Sequence, residues 1–184
     1  GIASDTNTPE ETQMILNHKA AFDFVIANKN TFTKGLTVAM IDEVHKLLMK
    51  DLLEDTGIRK SLVGITGSRY QPLDNQHQLR EALNEFVTSI GNIHDVFSQA
   101  LTALLGISYI QPFVDGNKRT ARLITNGILM ASDCAPLSYR DVDEREYRAN
   151  LLVFYEQLSV TPMKELFISQ YIFSTEHYTG LGNE

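Results

Sequence analysis

The sequence has little of three things that would define a function class: cysteine, positive charge and long apolar runs. The single cysteine, Cys134, excludes an internal disulfide and fits a reducing compartment, where it serves as a small buried apolar residue. The 16 lysines and arginines face 23 acidic residues, which gives a net charge of −7 and no basic stripe. We therefore expect no nucleic-acid partner. No apolar run reaches the length of a membrane span, so we expect no membrane partner either.

Two further absences concern processing and organisation. The opening residues Gly1-Ile2-Ala3-Ser4 carry neither the basic nor the apolar region of a signal peptide, so we expect a cytoplasmic protein. Repeats, low-complexity stretches and long linkers are missing as well. A chain of 184 residues with 43% hydrophobic content is long enough for a sizeable core. We predict one domain over residues 1–184.

What the sequence does contain is helical periodicity. Thr8-Pro9-Glu10-Glu11 is typical of a helix start, with an N-cap, a proline in the first turn and acidic residues beside it. Apolar residues then recur at helical spacing along most of the chain. The predicted helices cover residues 9–28, 37–53, 75–90, 94–109, 119–133, 141–158 and 161–175.

Residues 61–72 follow a different pattern. Leu62, Val63 and Ile65 favour an extended chain, Thr66-Gly67-Ser68 can turn, and Pro72 closes the segment. This is the one good hairpin candidate. The predicted fold class is therefore all-α, with one short β-hairpin.

The stretch YIQPFVDGNKRTARLI, residues 109–124, concentrates groups that bind anions. Pro112 ends the preceding helix, and Asp115-Gly116-Asn117 is a turn that leads into a new helix at about Lys118 or Arg119. A glycine turn at a helix start presents free backbone N–H groups and the positive end of the helix dipole. The pattern predicts an anion site.

The helix that follows is apolar nearly all round, as in a buried central helix, yet Arg119, Arg122 and Asn126 share one face. Two guanidinium groups on a buried helix need anionic partners. Carboxylates of the same domain could supply them. The preceding Asp-Gly-Asn turn instead favours phosphate as the ligand.

At these residues the chain resembles a known family. QPFVDGNKRTAR is similar to the signature of the Fic/Doc family, GIRKSLVGITGSRYQP is similar to the family's flap, and IDEVHKLLM is similar to its second helix. The resemblance covers about residues 8–175. It implies a Fic-like helical domain that transfers part of a nucleotide, most often AMP from ATP, to a hydroxyl of a target protein.

The resemblance also implies roles within the motif loop, residues 111–122. Asp115 would hold a Mg²⁺ ion bridging the α- and β-phosphates, a task that suits a carboxylate. The remaining contacts to ATP would come from the residues after it: backbone N–H groups of Gly116, Asn117 and Lys118 as an anion hole, Arg119 at the β-phosphate and Arg122 at the γ-phosphate.

The flap would dock the target protein. By resemblance, a segment bearing a serine, threonine or tyrosine hydroxyl would lie alongside residues 61–72 by strand addition, near Ile65, Gly67, Ser68 and Tyr70. Tyr70 could equally be an ordinary surface residue of the hairpin. Both readings stay open at this point.

Gln111 departs from the family pattern. The resemblance places a histidine there as the base that deprotonates the attacking hydroxyl, whereas a carboxamide is not basic near neutral pH. Loss of a general base typically slows a reaction about 10²–10⁴-fold, and positioning and phosphate stabilisation can survive it. His45 and His94 are candidate substitutes, although each lies in a helical pattern that favours a structural role.

Lys118 stands where glycine is commoner, and the run DGNKRTA matches the Doc branch, whose members phosphorylate their targets. Three functions therefore remain: an attenuated AMP transferase, a catalytically silent ATP-binding module that acts through a protein partner, and a Doc-like protein kinase. A plain helical interaction domain fits least well.

Many family members carry an inhibitory helix whose glutamate pairs with the second arginine of the motif. Here TNTPEET is similar to the segment that follows such a helix, but Ile2-Ala3-Ser4-Asp5 lacks the matching glutamate. The resemblance thus implies either an inhibitory helix upstream or in trans, or an uninhibited Arg122.

Overall fold

The computed structural model describes residues 8–139 and 142–178, and all of its regular structure is helical. The helices are α1 (Pro9–Ala27), α2 (Lys29–Phe32), α3 (Val38–Met49), α4 (Gln76–Gly91), α5 (Val96–Ile110), α6 (Asn117–Ala131), α7 (Glu144–Gln157) and α8 (Thr161–Tyr178). The seven predicted helices are confirmed, and the short α2 is an addition. The all-α prediction is correct.

Local capping explains where α1 begins. The Thr8 hydroxyl accepts a hydrogen bond from the Glu11 amide at 3.1 Å, and the Glu11 carboxylate accepts one from the Thr8 amide at 2.8 Å. This reciprocal pair satisfies two donors that a helix start would otherwise leave unpaired. The sequence pattern at residues 8–11 therefore has the predicted structural meaning.

Helix α6 lies at the centre of the molecule. It packs most extensively against α5 and also contacts α1, α2 and α3. Gly127 allows one of these approaches, because a Cβ there would lie 2.5 Å from the Phe32 ring of α2. Ten of its fifteen residues are buried, the polar Asn117, Thr120, Thr125 and Asn126 among them, so α6 is more amphipathic than the sequence pattern suggested. This burial fixes the position of the first turn of α6, where the candidate site lies.

The predicted hairpin at residues 61–72, called the flap below, does not form strands in the described residues. The segment is extended with one tight turn, in which the Ser68 amide donates to the Ile65 carbonyl at 3.0 Å. Backbone groups that would form a strand ladder bond instead to side chains of other elements, chiefly Arg59, Arg148 and Glu156. The extended segment and its turn were predictable; the missing ladder was not.

Two further sequence expectations concern the inhibitory helix and the absence of a membrane span. The segment Ile2–Asp5, discussed above for an inhibitory helix, lies outside the described residues. Within residues 8–139 and 142–178, none of the helices combines the length and apolar character needed to span a bilayer.

Candidate active site

The start of α6 is built to leave backbone donors free. Gly116 is the N-cap residue, with a φ of 80°, and provides no side-chain cap. Glycine is required there, since a Cβ would lie 2.8 Å from the Met49 sulfur and the backbone is left-handed. The first N–H groups of this long, largely buried helix therefore have no capping side chain at its positive end.

Asn117 organises the loop that leads into this helix start. Its side-chain oxygen accepts from the Phe113 amide at 2.9 Å, and its side-chain nitrogen donates to the Phe113 carbonyl at 2.8 Å. The same nitrogen donates to the Gln111 side-chain oxygen at 3.0 Å. One buried amide thus fixes both ends of residues 111–117.

Gln111 ends α5 in a left-handed conformation, with φ 50° and ψ 57°. Its side-chain nitrogen donates to the Ser108 carbonyl at 2.5 Å, while its oxygen accepts from Asn117. The residue is only 9% exposed. The amide is thus held by the loop's own groups at the position where the resemblance requires a base.

Arg59 joins the flap to this loop. Its guanidinium donates to the Gln111 carbonyl and the Ser61 carbonyl, each at 2.7 Å, and also to the Leu73 carbonyl. Its own amide donates to the Pro112 carbonyl at 2.9 Å. The side chain is buried, so these carbonyls replace water as its partners. Arg59 thereby holds both ends of the flap beside position 111.

The two candidate replacement histidines are not placed as bases. The His45 ring stacks on Phe113 with 3.6 Å between centroids, and its Nε2 lies 3.0 Å from the Asp115 carbonyl. Burial is the main cause that lowers the pKa of His45. His94 is exposed before α5, a full helix of about 22 Å away from Gln111. The contacts of His45 favour the structural reading, and the distance of His94 from Gln111 argues against a role as base.

A cavity of about 270 Å³ opens beside the helix start. The motif loop, the flap and α7 each form one wall. The lining residues are Gln111, Val114, Asp115, Asn117, Lys118, Gly64, Ile65, Thr66, Arg148, Leu151, Leu152 and Tyr155. The fold therefore brings Ile65 of the predicted flap next to the predicted phosphate loop.

Two neighbouring tyrosines, Tyr155 in the cavity wall and Tyr70 of the flap, have different roles. Tyr155 is buried, and desolvation raises the pKa of its hydroxyl, so it cannot substitute for a base near neutral pH. Tyr70 stacks on Tyr109 at 4.2 Å between centroids, and its hydroxyl donates to the Tyr109 carbonyl at 3.1 Å. Tyr70 fastens the flap to α5.

Arg119 and Arg122 have different surroundings. Arg119 forms an ion pair of 3.1 Å with Asp115, whose side chain is 65% exposed. The guanidinium of Arg122 lies 5.6 Å from the ring centroids of both Tyr139 and Tyr147, and no described carboxylate pairs with it. Arg122 therefore lies against aromatic faces, and its guanidinium forms no ion pair with a described carboxylate.

A second cavity, of about 330 Å³, contains Arg122. Its wall carries three cationic side chains, Lys118, Arg122 and Arg148, and one acidic residue, Glu144. Lys118 and Arg148 also line the first cavity. Burial raises the pKa of Tyr147 in this wall to about 12, although the nearby Arg122 acts in the opposite direction. The two cavities together form a positive region in an acidic protein.

A magnesium ion would find one carboxylate here. No cluster of three or more histidine, cysteine, aspartate or glutamate side chains occurs in residues 8–139 and 142–178. Asp115 is exposed at the cavity edge, next to the free N–H groups of α6. This fits Mg²⁺, which is commonly held by one or two carboxylates together with substrate phosphates and water.

Sequence reasoning missed the contribution of α7 and the segment before it. This region has ordinary helical periodicity and no turn or glycine signal, yet it supplies Arg148, Tyr139, Tyr147 and Tyr155. Arg148 and Tyr155 lie seven residues apart and so share a helix face, which is the one available hint.

Comparison with known proteins supports the likeness. A family profile described as the Fic/DOC family matches residues 35–129. The chain is 27% identical over 141 residues to "Protein adenylyltransferase Fic" of Nematostella vectensis, over 74% of this chain and 33% of that protein. The chain thus spans about a third of the length of that relative.

Solved structures share the fold. Fic-1 from C. elegans superposes with a TM-score of 0.82 at 24% identity, over 98% of this chain and 54% of that chain. An IbpAFic2 variant in complex with adenylylated Cdc42 gives a TM-score of 0.66 at 20% identity, over 92% of this chain and 57% of that chain. The family match covers more than half of the chain and includes the flap and the motif loop. The chain belongs to the Fic/DOC family.

Proposed function

We propose that this domain binds ATP with Mg²⁺ at the start of α6 and is related in function to Fic enzymes that transfer AMP to protein hydroxyls. One observation carries the proposal: Arg122 lies in a cavity with Lys118 and Arg148, without a carboxylate partner in the described residues. Clustered cations repel one another and are more stable with an anion between them. A polyphosphate satisfies that need and also matches the free N–H groups of the neighbouring helix start.

Within this proposal, each residue of the motif loop has a defined contact. Asp115 would hold the magnesium ion, which neutralises phosphate charge when bound. Backbone N–H groups of Gly116, Asn117 and Lys118 would face phosphate oxygens. Arg119 would give up part of its pairing with Asp115 and contact the β-phosphate, and Arg122 would contact the γ-phosphate.

The proposed transfer is slow because of Gln111. The amide can orient a hydroxyl, but it cannot remove a proton near neutral pH. Both of its polar atoms are already bonded inside the loop, to Ser108 and Asn117. The two histidines, His45 and His94, are not placed to replace a base, and the pKa of Tyr155 is too high for that role. We therefore expect weak or undetectable transfer.

The proposed partner is a protein that presents a serine, threonine or tyrosine hydroxyl at the flap. The flap wall of the first cavity, Gly64 to Thr66, lies across from Gln111 and Asp115. A relative of this fold in complex with adenylylated Cdc42 supports a protein as the acceptor. An inhibitory helix in cis or in trans would act at Arg122, whose donors are open to an anion.

Isothermal titration of ATP in magnesium tests nucleotide binding. Arg122→Ala removes one charge-assisted contact and should weaken binding about tenfold to over a hundredfold. Arg119→Ala should weaken ATP binding less, because Arg119 has to give up its ion pair with Asp115 in order to contact a phosphate. Arg145→Ala, a change at an exposed arginine of α7, is the matched control. Absence of ATP binding by the wild-type protein would contradict the proposal.

Label position distinguishes the remaining functions. Transfer from α-labelled ATP indicates an AMP transferase, and transfer from γ-labelled ATP indicates a Doc-like protein kinase. Binding without transfer, retained after Gln111→His, indicates a silent ATP-binding module. Lys118 is the one motif residue that favours the kinase reading.

A further inference from the structure

Two side chains of α7, Arg148 and Glu156, form hydrogen bonds with the flap. Arg148 donates to the Thr66 carbonyl at 2.9 Å. Eight residues further along, a single oxygen of Glu156 accepts from the Ser68 hydroxyl, from the Arg69 amide at 2.6 Å and from the Tyr70 amide at 3.3 Å. The flap turn is thus held at its carbonyl side by a cation and at its amide side by a carboxylate.

Leu152 supplies the contact between these two charges. It lies four residues from Arg148 and four from Glu156, so all three side chains share one face of the helix. A Cβ on Gly67 would lie 3.7 Å from a methyl group of Leu152, which places the glycine of the turn directly over the leucine. We call Arg148, Leu152 and Glu156 the α7 clasp.

The clasp takes up backbone hydrogen-bonding groups in one part of the flap and leaves those of another part unpaired. Amides of Arg69 and Tyr70 are bonded to Glu156, and the carbonyl of Thr66 is bonded to Arg148. Residues 62–64, in contrast, form no backbone hydrogen bond with any described residue. The Leu62 side chain is 74% exposed beside them. Residues 62–64 can therefore pair with another chain without breaking a described backbone hydrogen bond.

We propose that Glu156 is a positioning residue for the target protein: it locks the flap so that residues 62–64 are presented as a docking edge next to the cavity that contains Gln111. The proposal rests on the proposed function, since it concerns where the acceptor hydroxyl is placed. Glu156 lines neither cavity, and its described hydrogen bonds all go to the flap, so we infer that it acts through the flap. Removing its carboxylate frees the Arg69 amide and the Ser68 hydroxyl and leaves the Tyr70 amide with the Ser68 oxygen as its acceptor at 3.0 Å. The Arg59 contacts at the flap's ends remain.

Amide hydrogen exchange of the whole domain tests the clasp directly. In Glu156→Ala we expect the Arg69 amide to exchange about tenfold faster or more, the equivalent of losing one hydrogen bond to a charged group. The Tyr70 amide should change less, because it also donates to the Ser68 hydroxyl oxygen. Glu156→Gln keeps an oxygen acceptor at the same place and should restore most of the protection. Glu146→Ala, an exposed acidic residue of the same helix, is the control. Unchanged protection in Glu156→Ala would overturn the proposal.

The functional arm uses the Gln111→His background, in which we expect measurable transfer. Glu156→Ala should lower label transfer to lysate proteins while the KM for ATP stays the same, and Glu156→Gln should recover it. Equal or faster transfer by Glu156→Ala would overturn a positioning role. If the wild-type protein binds no ATP, the proposed function fails, whereas the exchange result still decides whether the clasp exists.

Discussion

The side chains of Gln111 and Asn117 are hydrogen-bonded to each other, with 3.0 Å between the glutamine oxygen and the asparagine nitrogen. The family position of the base is therefore tied to the first residue of the helix that would hold the phosphates. The Gln111 amide also donates to the Ser108 carbonyl, so this neutral side chain helps to hold the loop in place.

Asn117→Ala should destabilise the protein strongly. The change removes the partners of the Phe113 amide, the Phe113 carbonyl and the Gln111 side chain, all in a buried place. Leaving buried polar groups unpaired costs about 1–3 kcal/mol each, so we expect a loss of about 2–4 kcal/mol in the free energy of unfolding. Urea unfolding measures it, with the exposed Asn84→Ala of α4 as control. Equal losses in the two variants would show that the Asn117 network does not stabilise the loop.

Arg59→Lys should loosen the flap even though it keeps the charge. A guanidinium reaches the Gln111, Ser61 and Leu73 carbonyls with separate nitrogens, whereas a single ammonium cannot span all three. We expect faster amide exchange along residues 61–73 and a loss of about 1–3 kcal/mol in the free energy of unfolding. The exposed Arg80→Lys serves as the comparison. A flap that exchanges as slowly as in the wild-type protein would refute the role given to Arg59.

His45 should make stability depend on pH. Burial lowers the pKa of His45 below its usual 6.5 in the folded protein, so the unfolded chain binds a proton more readily. Its stabilising contribution is complete above about pH 6.5 and is lost as the pH falls toward the folded pKa. Urea unfolding at several pH values measures this.

The control for that experiment is His45→Asn. His18 also has a lowered pKa, caused first by burial and then by Arg122 and Arg119, so its share of the pH dependence remains in the variant. The slope of unfolding free energy against pH should be smaller in His45→Asn than in the wild-type protein. Identical slopes would mean that His45 is not buried as a neutral ring.

Local sequence signals were sufficient for the helices and for the glycine turn that opens α6. Capping at Thr8, the stop at Pro112 and the glycine turn before α6 act through neighbouring residues, so a linear reading finds them. The density of apolar residues along residues 121–131 likewise predicted the central position of α6. These features depend on backbone preferences and on helix periodicity alone.

Features that depend on distant contacts were not predictable. The flap has the residue pattern of a hairpin, but its backbone groups are taken by Arg59, Arg148 and Glu156, and no strand ladder forms. The pairing of Arg122 with two tyrosines is similarly absent from the local pattern. Side-chain competition for backbone groups is decided by tertiary packing, which a periodicity argument does not contain.

The central claim is that an intact nucleotide site lacks only its base, and Gln111→His tests it most directly. Transfer of label from α-labelled ATP, to the protein itself and to lysate proteins, should rise by about two orders of magnitude or more in Gln111→His over the wild-type protein. Gln111→Ala, which lacks both amide and base, should not exceed the wild type. Ready transfer by the wild-type protein that Gln111→Ala abolishes would contradict the account, because the glutamine would then be the catalytic group.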